Sequence, residues 1–382
     1  MSNIGIVTLF ENNYGSILQC YSTKSYVESL GYQCHVLYFK QDNGHFLANT
    51  IKRLVRFLYK SLRYKGYLQN TSETKRVIKI ETSYLSVQSR KLMSDFVEKQ
   101  LKPEGYTWKE LLALGGNKEY SSFIVGSDQV WNSSRYINTF KFLTFTEKKK
   151  RIAFAPSFGS TEIADFNIKI VIDGISGFEK VSVREESGKE IIKKLTGKDA
   201  FRLDDPTVLK DKRQWENFAK NGTKKDENYI FAHFLNKPNK VALNSINYLS
   251  SELKLRVYCF AYDYDEYAEL KDATFEDGSP CDYVSLIYNA SFVFTDSFHT
   301  TLFSMNFGRP FFTFHRQYIH KHSQEGRISD LLGRYGLSER LIENEGDFKF
   351  VKDKKVNDVD FEKVRKKMKD YLSKEIIRTK GY

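Results

Sequence analysis

Three stretches of this 382-residue chain set polar, chemically capable side chains directly behind short apolar runs. The first is Phe294-Thr295-Asp296-Ser297-Phe298-His299-Thr300-Thr301, between the apolar run 291–295 and a segment of helical spacing. A helix starting there offers free backbone N–H groups and the positive end of its dipole, which attract phosphate. Ser297 and Thr300 would add donors, and the His299 imidazole can act as cation or acid near neutral pH. Capping by Asp296 or Ser297 accounts for one such residue, but not for a histidine in the company of several donors.

The second stretch is Phe123-Ile124-Val125-Gly126-Ser127-Asp128-Gln129-Val130-Trp131-Asn132. Gly126 lets backbone approach a ligand, and Asp128, just past a strand, is placed to accept a proton from a hydroxyl. Ser127, Gln129 and Asn132 are candidate substrate contacts beside it. Trp131 either stacks on a sugar ring or fills the core. In the third stretch, Lys180-Val181-Ser182-Val183-Arg184-Glu185-Glu186-Ser187-Gly188, Arg184 leaves a strand just before a helix. A guanidinium there clamps a carboxylate or phosphate at two points, or else pairs with Glu185. Asn13-Tyr14-Gly15 forms a fourth loop in the equivalent place after the first strand, although tight-turn chemistry explains it equally well.

These stretches need strands and helices to hold them. Residues 4–10 form an apolar run, 16–30 carry apolar residues at helical spacing, and 34–39 read as a second strand, which is a βαβ opening. Residues 42–118 lose strand character and read as basic helices inserted on the first sheet, before strands return at 122–125 and 151–155. A second series begins near residue 180, with strands at 181–183, 229–234, 255–260, 291–295 and 310–314. Two successive blocks of alternating strands and helices predict two doubly wound α/β domains, 1–175 and 176–345, with a cleft between them. A helical tail, 346–382, is expected to pack back across them. In open α/β sheets ligands bind beyond the carboxyl ends of the strands, where the polar stretches lie.

Composition narrows the function classes. Sixty Lys and Arg against 48 Asp and Glu give a net charge of +12, so anionic partners fit. With 41% hydrophobic residues and no apolar run near ~18 residues, neither disorder nor a membrane span is indicated. The four cysteines, Cys20, Cys34, Cys259 and Cys281, form no CxxC and accompany no His pair at ligand spacing, which points away from disulfides and zinc and toward a reducing cytoplasm. Met1 runs straight into the first strand with no signal-peptide pattern. Nucleic-acid binding would use the positive charge, but the polar clusters sit at strand ends and form no single basic stripe.

Taken in order, Asn13-Tyr14-Gly15-Ser16-Ile17-Leu18-Gln19, Gly126 to Asn132, Ser182-Val183-Arg184-Glu185, Asp205-Pro206-Thr207 and Thr295 to His299 resemble the polysaccharide pyruvyl transferase family over roughly residues 4–336. The resemblance implies two Rossmann-like domains in the GT-B glycosyltransferase architecture, and transfer of a pyruvyl group from phosphoenolpyruvate to a sugar as a cyclic ketal. It also implies that His299 and Arg184 hold phosphoenolpyruvate. Several members carry an arginine two positions before that histidine, where this chain has Ser297, so Arg309 and Arg327 are candidates to complete the anion clamp. Asp128 is the candidate general base on the acceptor hydroxyl. No cofactor or metal is required by this chemistry, and phosphoenolpyruvate is the donor substrate.

The stretch 51–67 carries six cations and no acid among apolar residues. It reads as a basic amphipathic helix for an anionic membrane surface, near a polyprenyl-diphosphate-linked glycan acceptor at the inner face of the plasma membrane. The plainer reading packs Leu54, Leu58 and Leu62 on the domain. The competing function is a nucleotide-sugar glycosyltransferase of the same two-domain shape.

Overall fold

The computed structural model describes residues 2–40, 58, 61–63, 85–133, 137–260, 262, 265–271, 273–316, 326–356 and 359–380. Strands β1 (Asn3–Val7), β2 (Gln33–Phe39), β3 (Glu104–Tyr106), β4 (Tyr120–Val125) and β5 (Arg151–Ala153) form a parallel sheet in the order β3-β2-β1-β4-β5. A short pair, β6 (Ser182–Val183) and β7 (Phe201–Arg202), follows. Strands β8 (Tyr229–His233), β9 (Arg256–Phe260), β10 (Ala273–Glu276), β11 (Phe292–Thr295), β12 (Phe311–Phe314) and β13 (Leu341–Ile342) form a second parallel sheet, β10-β9-β8-β11-β12-β13. Each order steps outward from its first strand and then restarts on that strand's other side. This creates a switch point between β1 and β4 and another between β8 and β11, the places where doubly wound sheets bind ligands.

The strands are continuous apolar runs because both faces are covered, as parallel sheets require. Ile4, Ile6, Tyr229, Ile230, Phe231, Val293 and Phe294 belong to one apolar cluster that runs through both halves of the molecule. A second cluster on the other face of the first sheet joins Val7, Leu37, Phe123 and Val125 to Val181, Val183, Ile191 and Ile192.

That second cluster corrects the expected boundary at residue 175. The Ala155 N–H donates to Ser182 Oγ (2.9 Å) and the Arg184 N–H to Pro156 O (3.1 Å), so the segment carrying Arg184 extends the first unit. Pro206 still touches the first unit, where Ser22 Oγ donates to its carbonyl (2.6 Å), and Trp215 beyond it packs on Phe303 of the second. The expected tail boundary also shifts, because Phe348 in the helix Glu345–Val351 packs on Phe294 and Phe312 of the second sheet. The helix Glu362–Lys380 does return to the first unit: the Tyr371 hydroxyl donates to Ala153 O (3.2 Å), Tyr26 and Ser373 share a hydrogen bond (2.9 Å), and Arg378 Nη1 donates to Lys149 O (3.2 Å).

Within the expected helical insertion, the helix Val87–Phe96 runs on into a π-helical stretch, Val97–Leu101. The three residues Glu104–Tyr106 then add an edge strand to β2, too short to leave a period in the sequence. Of the basic stretch 51–67, residues 58 and 61–63 are described and the rest lies outside the described residues. Those four are helical, and Leu58 and Leu62 are 50% and 89% exposed, so these two leucines do not pack on the domain. Among the described residues, no helix is long and apolar enough to cross a membrane.

Candidate active site

The first half's contribution begins in the loops after β1 and β4. Asn13 caps the helix Tyr14–Ser29 by accepting from the Ser16 N–H (3.1 Å). Gly126, at φ +104, allows the chain to turn sharply behind β4, and a Cβ on it would lie 2.3 Å from Phe154 O. The loop is fixed from inside by Gln19, whose Nε2 donates to Thr8 Oγ1, Leu9 O and Ser16 O while its Oε1 accepts the Ser127 N–H (3.2 Å). Ser127 Oγ donates to Ala155 O (2.6 Å). Asp128 follows at φ +58, in the left-handed region that Asp and Asn tolerate best among residues with a Cβ. Its carboxylate accepts from Ser16 Oγ and stands 3.6 Å from Arg184 Nη1.

Arg184 is wholly buried and hemmed by acids. Its Nε donates to Glu185 Oε1 (2.9 Å) and its Nη1 to Asp205 Oδ2 (2.9 Å). Its Nη2 has no partner, and its Cζ lies 4.6 Å from the centre of the Phe298 ring. Burial works against the charged guanidinium, but the surrounding carboxylates of Glu185, Asp205 and Asp128 outweigh it and raise the pKa further. Arg327 Cζ lies 5.9 Å from the same ring, on a side chain that is 7% exposed.

The second half supplies His299 in the first turn of the helix Phe298–Phe307. Its Nε2 is 3.3 Å from Asp205 Oδ2, the oxygen that also takes Arg184 Nη1, and Nε2 is not aligned for a hydrogen bond at that distance. Asp205 Oδ1 accepts from the Thr207 N–H (3.0 Å) and Thr207 Oγ1 (2.9 Å). Burial alone would raise this carboxyl's pKa. The charges of His299 and Arg184, with the Thr207 N–H, hold it instead well below the usual carboxylate range. An unbroken path thus runs from Asp128 through Arg184 and Asp205 to His299, from the end of β4 to the end of β11.

The structure brings Gly15, Asp128, Arg184, His299 and Arg327 into one neighbourhood and places other candidates elsewhere. Trp131 lies in the core, fully buried, stacked on Phe142 (5.3 Å between centres) with Nε1 donating to Lys141 O (2.8 Å), so it does not present a face to a sugar. Tyr14 is a plug between the halves: its ring stacks on Phe260 and Tyr283 (4.7 and 4.9 Å), and its hydroxyl donates to Gly278 O (2.7 Å). Thr300 is buried, with Oγ1 between His233 Nδ1 (2.8 Å) and the Tyr283 hydroxyl (2.9 Å).

Ser297 caps its helix by accepting from the Thr300 N–H (3.4 Å), the plainer alternative for that residue. Arg309 sits past the far end of the same ten-residue helix, about 15 Å from His299 along its axis, with its guanidinium over Tyr288. It is therefore no part of the clamp. Gln129 and Asn132 bond to each other (2.6 Å) beside Gly159. The open, two-point clamp expected of Arg184 is corrected as well, since three carboxylates already surround it.

Asp205, Glu185 and Ser16 were not among the residues expected at the site. Asp205-Pro206-Thr207 stood in the motif set without a role, and it follows β7, a two-residue strand too short to leave a period in the sequence. Among the described residues, no group of three or more His, Cys, Asp or Glu side chains is arranged to hold a metal ion.

Two Rossmann-like domains with their switch points turned toward a shared junction define the GT-B fold. Solved structures agree on the fold. The chain is similar to UDP-N-acetylglucosamine 2-epimerase from Rickettsia bellii (11% identity, TM-score 0.52, covering 99% of this chain and 97% of that one). It is also similar to UDP-GlcNAc 2-epimerase from Methanocaldococcus jannaschii (12% identity, TM-score 0.53, covering 98% and 100%). No curated protein sequence matches significantly. The family model for polysaccharide pyruvyl transferase matches residues 13–318, and the chain belongs to that family of transferases.

Proposed function

We propose that the protein transfers a pyruvyl group from phosphoenolpyruvate to two hydroxyls of one sugar in a surface or capsular polysaccharide precursor, forming a pyruvate ketal and releasing phosphate. The observation that carries this reading is the linked set Asp128–Arg184–Asp205–His299 at the strand ends, in a chain of the pyruvyl transferase family.

The chemistry needs the enol methylene protonated, one sugar hydroxyl added at the neighbouring carbon, the C–O bond to phosphate broken, and a second hydroxyl added in its place. Of the two protons the hydroxyls give up, one ends on the methylene, which becomes a methyl group, and the other on phosphate. Asp128, on the first half, is the proposed base for an acceptor hydroxyl, held by Ser16 beside Arg184. His299, on the second, is the proposed cation or acid for the departing phosphate.

Because Arg184 is neutralised by its own carboxylates, its proposed part is to hold Asp128 and Asp205 in place. Arg327 and the opening turn of the helix Phe298–Phe307 are then the groups that meet the donor's charge. The acceptor is proposed to be a glycan on a polyprenyl diphosphate, with no added cofactor and no nucleic acid, at the cytoplasmic face of the membrane.

Thermal stability tests the donor. Ligand binding to the folded state raises Tm by mass action, so phosphoenolpyruvate should shift Tm upward while nucleotide sugars leave it unchanged. The reverse pattern supports a nucleotide-sugar glycosyltransferase. If Asp128→Asn keeps wild-type turnover and acceptor affinity, Asp128 is not the base.

A further inference from the structure

We propose that Asp205 is a positioning residue for His299: it holds the imidazole with Nε2–H toward its own carboxylate, leaving Nδ1 as the nitrogen that serves the reaction. The part Nδ1 plays rests on the pyruvyl-transfer reading, whereas the way the ring is held does not.

The carboxylate is immobilised by three donors. Oδ1 takes the Thr207 N–H and hydroxyl, and Oδ2 takes Arg184 Nη1 at 2.9 Å. What remains of Oδ2 faces His299 Nε2 at 3.3 Å, within hydrogen-bond distance but not aligned for a bond. Unliganded acid–base sites commonly show such long contacts, which tighten when substrate binds. An ionised carboxylate only accepts hydrogen bonds, so the nitrogen turned to it must carry the proton.

One face of the ring is covered by backbone from the other half. Gly15, in the first turn of the helix from the other half, lies so close that a Cβ on it would be 2.0 Å from Nδ1. The ring is therefore held by Asp205 beside Nε2 and by Gly15 over the face at the Cγ–Nδ1 bond. In the reaction, the imidazolium gives its Nδ1 proton to the departing phosphate oxygen as the C–O bond breaks. It regains one from the second acceptor hydroxyl as the new C–O bond forms. The ring returns to its starting state, with Nε2–H on Asp205 throughout.

The test uses the full-length chain labelled with 15N-histidine, with His299→Gln assigning the resonance. Spectra taken at alkaline pH, where the ring is neutral, report which nitrogen carries hydrogen and need no substrate. The expected result is the Nε2–H form in the wild type and a mixture of forms in Asp205→Asn. Asp205→Asn should also lower kcat about 10- to 100-fold, with the KM for phosphoenolpyruvate within about threefold. A wild-type Nδ1–H form overturns the proposal even if Asp205→Asn fails to fold, as does an unchanged tautomer and kcat in a folded Asp205→Asn. If the tautomer depends on Asp205 but phosphoenolpyruvate is not a substrate, the positioning role stands and the pyruvyl-transfer reading falls.

Discussion

The His299 imidazole of the second half rests directly on the backbone of Gly15 in the first, so close that a methyl group on Gly15 would stand 2.0 Å from Nδ1 and 2.2 Å from Cγ. The helix openings of the two halves meet at this contact, and the proposed acid reaches its position only when they are together.

Gly15→Ala should therefore act on activity more than on either half's fold. The methyl cannot coexist with the ring, so His299 must rotate away or the halves must separate. Overpacking of this kind costs about 1–3 kcal/mol. We expect kcat/KM to fall at least about tenfold while circular dichroism stays unchanged, with the stability loss read by urea titration.

Removing the ring tests its chemistry. His299→Ala should lose about two or more orders of magnitude in turnover, the size of effect typical for an acid–base or charge-stabilising group. A loss under threefold in steady-state kinetics assigns the phosphate's departure to another residue.

Arg184 is expected to be a stability residue as much as a functional one. Its substitution leaves Asp205, Glu185 and Asp128 crowded without their shared cation, and breaking a buried pair from one side costs about 3–5 kcal/mol. Arg184→Met should lower the urea midpoint sharply. Arg184→Lys should rescue little, since one ammonium cannot reproduce the guanidinium's geometry.

Tyr14 separates a packing role from a substrate role. Tyr14→Phe removes one hydrogen bond, to Gly278 O, and should cost about 0.5–1.5 kcal/mol with turnover retained. Tyr14→Ala empties the space between Phe260 and Tyr283 and should cost about 3–5 kcal/mol.

His233 gives the molecule an acid-sensitive core. Burial, and next the Arg316 charge, push its imidazole down to about 3. The unfolded chain takes up this proton below about pH 6.5, whereas the folded chain does not until about pH 3. The unfolded state therefore binds more protons in that window, and stability falls as pH drops through it. The slope from this group reaches at most about 1.4 kcal/mol per pH unit. Urea titrations between pH 6.5 and 4 should show it, and His233→Gln should flatten it.

The strand ends were legible in the sequence because buried parallel strands are apolar runs, and the polar residues just beyond them stand out. That signal placed Asp128 and His299 correctly at the ends of β4 and β11. It could not separate Trp131 from a ligand platform, since a loop aromatic that folds inward has the same spacing as one that faces out. Arg184 was legible as a residue at a strand end but not as a buried one, because Asp205 and Asp128 reach it from 21 and 56 positions away in the chain. The boundary was misplaced for a related reason: β6 looks like the start of a second series, and only packing reveals that Val181 and Val183 complete the first core.

Pyruvyl transfer itself is read by incubating the protein with phosphoenolpyruvate and a panel of galactose-, mannose-, glucose- and N-acetylhexosamine-containing acceptors. Phosphate release and the ketal methyl signal should be followed together. Phosphate release should depend on one acceptor class and match ketal formation one for one. No release from phosphoenolpyruvate with any acceptor, alongside consumption of a nucleotide sugar, rules pyruvyl transfer out.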